Sequence, residues 1–186
     1  MSPTLSFPSA TPRSVTMPVE FFAGLRQGIL ASQTGAAGLS VDAVRDAGYH
    51  AGQALFDEFA QWLTARGEVG PTALADERFP SLFEAFFEAH GWGRVVLRPL
   101  SEAVLALEAS DWGEAAEAEG GCLVTTGLFA GFLGRLAEAP LSVLEVDPGA
   151  GAGGRCRFLV GSVDVIDYVW EAMQRGVPFE TAAQSA

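Results

Sequence analysis

The chain contains no lysine, and that absence removes several chemistries at once. There can be no Schiff-base lysine, no P-loop lysine and no lysine general base. Positive charge of any kind is scarce: 11 basic residues, all arginine, stand against 23 acidic ones, for a net charge of −12. A nucleic-acid binder needs a basic stripe to neutralise phosphates, and anionic lipid asks for the same, so neither partner is expected. No uninterrupted apolar run reaches the roughly 18 residues of a membrane-spanning candidate. No basic segment followed by an apolar one opens the chain, so a secretory signal is not read and a cytoplasmic protein is expected. Cysteine is nearly lacking too. Cys122 and Cys156 are the only two, too few for a disulfide framework.

What the chain does have is apolar material. Hydrophobic residues make up 49% of its 186 positions and charged residues 18%, enough core for one domain. Residues 1–18 are rich in Ser, Thr and Pro, lack periodicity and read as a disordered leader, with Met17 an alternative start to Met1. The domain is expected over 19–176, and 177–186 reads as a flexible tail. Residues 19–33 turn helical, with Phe22, Leu25, Ile29 and Leu30 on one stripe. Ser40 then caps a long helix in which Val44, Gly48, Ala51, Leu55, Phe59 and Trp62 recur at helical steps until Gly67. Gly48 and Gly52 each cost about 1 kcal/mol of helix propensity against Ala, which implies close approach by another helix or room beside a cavity. A third helix spans 80–90, with Leu82, Phe83, Phe86 and Phe87 as its apolar face. The period then changes. Residues 94–100 and 103–109 predict a hairpin, 122–137 a buried glycine-rich helix, 141–146 and 155–160 a second strand pair, and 163–174 an amphipathic helix.

Gly149, Gly151 and Gly154 match the GxGxxG spacing behind a strand. A dinucleotide site needs a helix to begin at the last glycines, and here a strand pattern follows instead, so a hairpin loop is expected. His50 and His90 sit in separate helices without metal-ligand spacing, and each reads as an ordinary helix residue. No GxSxG elbow supports a serine hydrolase. The glutamates within 108–119 read as a solvated face. Most of the 13 Phe and 4 Trp read as core, although rings beside glycines also suit the wall of an apolar pocket.

The segment from Gly121 to Val160 carries a more specific pattern. Cys122 opens a glycine-rich apolar helix, the strand Ser142-Val-Leu-Glu145-Val-Asp147-Pro148 follows, and Arg155-Cys156-Arg157-Phe158 begins the next strand. In order and spacing this resembles the 4-vinyl reductase domain family, related to the small subunits of the TRAPP tethering complex. Asp46-Ala-Gly48-Tyr-His-Ala-Gly52 resembles the family's earlier helix. The resemblance implies helices packed on an antiparallel sheet, frequent dimerisation, and relatives that sense hydrocarbons and phenols or are linked to bacteriochlorophyll synthesis. It also implies a zinc site, for which Cys122, Glu145 and Cys156 fall on three of four ligand positions. Pro148 stands at the fourth and cannot ligate. Asp147 could replace it only if the loop were re-aimed, a closed structural zinc site wants four ligands, and a buried free Cys is also an ordinary core residue.

The expected fold is therefore α/β in the α+β sense, helices on a small antiparallel four-stranded sheet. The expected function is binding of an apolar or aromatic small molecule by a stand-alone sensor or carrier domain, rather than catalysis, with any signalling output supplied by a partner. The ligand site is expected between the helices and the sheet, lined by Gly48, Ala51, Gly52, Leu55 and Phe59 of one helix and Gly127, Leu128, Gly131 and Phe132 of another. One rival is an accessory protein or enzyme of tetrapyrrole metabolism, which would need a hydride source whose motif is absent. The other is a TRAPP-like interaction scaffold. A homodimer is expected, from the family resemblance and because 19–30 and 82–87 offer more apolar surface than a small domain readily buries alone.

Overall fold

The computed structural model describes residues 21–22, 24–25, 28, 40–75, 77–117, 121–148 and 154–186. The leader expected over 1–18 lies outside them. Among the described residues, Phe21, Phe22, Gly24, Leu25 and Gly28 are helical, and five further α-helices pack on one four-stranded antiparallel sheet: α1 (Val41–Ala65), α2 (Phe79–Ala89), β1 (Arg94–Pro99), β2 (Leu105–Ser110), α3 (Leu123–Ala137), β3 (Ser142–Pro148), β4 (Cys156–Gly161), α4 (Val163–Gln174) and α5 (Phe179–Gln184). Ser40 does cap α1, its Oγ accepting the Ala43 N–H at 3.0 Å, and the chain turns away through Gly67 at φ +73°.

The strand order is β1-β2-β4-β3, two hairpins joined through β2 and β4. Since β3 returns antiparallel into β4, no helix starts after the glycine run, as the strand pattern there predicts. One face of the sheet presents Val95, Leu107, Ala109, Phe158 and Val160 to α1, α2 and α3. The other presents Val104, Ala106 and Leu159 to α4 and α5. The two central strands are thus covered on both faces, which is why Phe158, Leu159 and Val160 are buried in succession. The tail expected over 177–186 is not one. Ala182 and Ala183 of α5 are buried against the sheet, and Arg157 anchors that helix through Glu180 at 3.6 Å.

Helices α1 and α3 run in the same sense and touch backbone to backbone. A Cβ on Gly48 would overlap the Val124 carbonyl, and one on Gly52 the Leu128 carbonyl. Reciprocally, Gly127 faces the Arg45 carbonyl and Gly131 the Tyr49 carbonyl. Four glycines at i, i+4 spacing on two helices therefore interlock, the close-approach alternative that Gly48 and Gly52 raised. Below this seam lies an aromatic core in which Phe59, Phe83, Phe86, Phe87, Trp112, Phe129, Phe132 and Phe158 are fully buried. Their rings meet edge to face or tilted rather than stacked; Phe83 meets Phe87 edge to face at 4.8 Å, and Phe59 meets Phe86 so at 5.2 Å. Phe83, Phe86 and Phe87, expected as leftover dimer surface, are consumed within the monomer.

An unhindered Gly-to-Ala change inside a helix gains about 1 kcal/mol. For Gly131→Ala the overlap with the Tyr49 carbonyl should reverse the sign and cost about 1–3 kcal/mol in urea unfolding. A gain in stability would mean that the two helices stand apart.

Candidate functional site

A helix whose N-terminus is buried must find acceptors for its first N–H groups. At α3 the N-cap residue, Cys122, makes no side-chain cap bond. The acceptor comes instead from Glu114, in the 3-10 turn Gly113–Glu117, and it is only 4% exposed. Its Oε1 accepts the Val124 N–H at 2.9 Å, and its Oε2 accepts the Thr125 N–H at 2.7 Å and the Thr125 hydroxyl at 2.6 Å. The Thr125 oxygen in turn accepts the indole N–H of buried Trp112 at 2.8 Å. A negative group at the positive end of a helix, with three donors aimed at it, is a strong local arrangement. Glu114 is therefore no part of a solvated face.

A second carboxylate meets the same helix end. Glu145 Oε2 accepts the Cys122 N–H at 2.8 Å. Gly121 makes room for it: φ is +86° there, and a Cβ would stand 2.7 Å from Glu145 Oε2. Strand β3 carries a bulge at this point, since Glu145 pairs with Phe158 but Asp147 pairs with Arg157 and Pro148 with Cys156. Residues three apart on a strand normally face opposite ways. The bulge cancels that alternation, so positions 145 and 148 lie on the face that also carries Cys156.

The sulfurs of Cys122 and Cys156 are joined in this structure, so neither is the free core cysteine considered above. Their Cα atoms are 7.3 Å apart. Disulfides usually span about 4.4–6.8 Å between Cα atoms, so this backbone spacing suits a shared metal ion at least as well as a direct bond. The ligand atoms of Cys122, Glu145 and Cys156 all lie within 4.8 Å of one another, two of the residues buried and the third partly so. Reduced, the two cysteines would offer a pair of thiolates beside one carboxylate, donors that zinc accepts. The three predicted ligands are thus brought together, and position 148 supplies none.

The nine residues predicted to line an apolar site fare differently. Phe59, Leu128 and Phe132 are fully buried core, and Gly48, Gly52, Gly127 and Gly131 lie in the helix seam. Ala51 is exposed, and Leu55 packs at the core margin. The room expected beside Gly131 is filled by the backbone of α1. Among the described residues, two grooves open outside the α1–α3 seam, the first of them reaching Gly127. One, of about 490 Å³, runs beside the edge strand β3 between Tyr49, Gly127 and Trp170, with Arg45, Asp46 and Asp167 among its walls. The other, of about 530 Å³, opens between the tip of the β1–β2 hairpin, the start of α2 and the end of α3. Leu97, Leu105, Leu133, Leu136, Leu141 and Val160 are among its walls.

This arrangement of helices and sheet recurs in solved structures. A vinyl-4-reductase family protein from Methanocaldococcus jannaschii superposes with a TM-score of 0.51 at 17% identity, covering 81% of this chain and 85% of that one. The phenol-responsive sensory domain of the transcription activator PoxR, solved with phenol, gives 0.57 at 13% identity over 92% and 84%. A trafficking protein particle complex subunit 3 from Naegleria fowleri, covalently bound to palmitic acid, gives 0.52 at 14% identity over 77% and 93%. The chain has the vinyl-4-reductase/TRAPP fold. No protein-family model matches its sequence, and no curated protein is similar enough to count as a match.

Within that fold, sequence reasoning missed Glu114, Thr125 and the hairpin groove. A signal for the first existed: an apolar helix that opens on Cys, with no Ser, Thr, Asp or Asn at its N-cap, has to borrow an acceptor from elsewhere. Glu114→Ala should leave two N–H groups and a hydroxyl without their acceptor and cost about 2 kcal/mol or more in urea unfolding. A loss below about 0.5 kcal/mol, the usual scale for a neutral surface change, would mean that Glu114 does not cap α3.

Proposed function

We propose that the chain is a ligand-binding domain that takes up an apolar or aromatic small molecule in the groove at the hairpin tip. The observation that carries this reading is the groove itself. Its volume of about 530 Å³ and its leucine-rich wall have the size and character of small-molecule sites. Among the described residues its polar fringe is Ser101, Glu102 and Ser162, hydroxyls and a carboxylate that suit holding a polar end of a ligand. Structures of the same fold hold phenol in one case and palmitic acid in another, both small and largely apolar. A sensor or carrier needs no further chemistry from this chain.

The uncharged dye Nile red should bind the protein and brighten. Ala137→Trp, at the exposed end of α3 and in the groove wall, should abolish that signal. Because the added ring projects into open space, the thermal midpoint should stay within about 2 °C, equivalent to a change below 1 kcal/mol. Dye binding that survives the substitution would place the ligand elsewhere, and no dye binding at all would leave the interaction-scaffold reading standing.

The metal reading rests on the Cys122, Glu145 and Cys156 cluster, with zinc the ion those donors suit. There it would tie the start of α3 to β3 and β4, a structural role. Reduced protein titrated with zinc should bind one equivalent per chain, and Cys122→Ser should lose it. Unchanged stoichiometry in that variant would exclude the cluster.

A further inference from the structure

We infer that the groove selects apolar molecules whose polar end is uncharged, of the alcohol or phenol type, and turns away their carboxylate counterparts. The inference rests on the ligand-binding reading above and adds the charge of the ligand's head group.

Among the described residues, the lining contains no arginine and, in a chain without lysine, no other cation. The three arginines next in sequence to wall residues are engaged with carboxylates: Arg78 with Glu68 at 2.7 Å, Arg98 with Glu108 at 3.3 Å, and Arg135 with Asp57 at 2.8 Å. Among the described lining residues the one charged group is Glu102, exposed in the hairpin turn. One positive feature does border the groove, the N-terminus of α4. There Ser162 Oγ accepts the Val165 N–H at 3.4 Å, and Asp164 already places a carboxylate in the first turn. A carboxylate entering here would give up water, find no counter-ion, and face Glu102 on a chain of net charge −12. A hydroxyl meets none of those costs. It can donate to Glu102 and accept from Ser101, whose oxygen is itself occupied as acceptor by the Ala103 and Val104 N–H groups, leaving its O–H free to donate.

The test is displacement of Nile red by 1-octanol and by octanoate at pH 8, on the unaltered protein and on Glu102→Arg. In the unaltered protein octanol should displace the dye at about tenfold lower concentration than octanoate, the penalty of an unpaired carboxylate at a half-open site. Glu102→Arg, on an exposed turn, removes that acceptor and adds a counter-ion, so octanol should weaken, octanoate should tighten, and the gap between them should close. Octanoate equal to octanol in the unaltered protein would overturn the head-group inference while leaving apolar binding intact. So would a gap that Glu102→Arg does not narrow. Failure of the dye to bind the unaltered protein would instead overturn the ligand-binding reading, and this inference with it.

Discussion

Close backbone contact between α1 and α3 is the constraint on which the rest of the structure depends. Helices usually pack with their axes 8–10 Å apart, separated by side chains. Here four glycines remove the side chains from the seam, so the aromatic residues on either side of it converge on one volume. Phe56 and Phe59 of α1 reach Phe132 of α3 at 5.5 Å each, and α2 closes over both through Phe83 and Phe86. The helix propensity given up at each glycine is offset by carbonyl contacts along the seam and by the rings packed below it.

The same tight seam explains the treatment of the start of α3. Held against α1 on one side and the sheet on another, that end has little water to satisfy it. Two carboxylates from distant parts of the chain do so instead, Glu114 from the turn after β2 and Glu145 from β3. Local helix chemistry and sheet register are thereby coupled. Without the bulge in β3, the two cysteines and Glu145 would still meet, but position 148 would face the opposite layer.

Much of the fold was legible because its signals are local. Ser40 and Gly67 bracket α1 by chemistry that does not depend on the partner, and the change of period after residue 90 announces the hairpin. The cysteine cluster was legible through a pattern of order and spacing. Three things were not. Glycines four apart have the same appearance whether they face a void or another backbone, so Gly127 and Gly131 suggested a cavity that the fold fills. Glu114 sits in an acidic run whose other members gave no hint that one of them is buried. The six residues of α5 are too short for helical periodicity to register, and their burial is conferred by the opposite face of the sheet.

The bulge in β3 also bears on how such a centre could be gained or lost. Placing a donor for a metal usually asks the backbone to be re-aimed, which no single codon accomplishes. In this strand the re-aiming is already done, since position 148 sits across the ladder from Cys156 and on the face of Glu145. A cysteine in place of Pro148 would need no new loop and no shift of register to stand beside the other three. Position 148 thus shares one face with three potential donors, and a single residue substitution would set a fourth beside them.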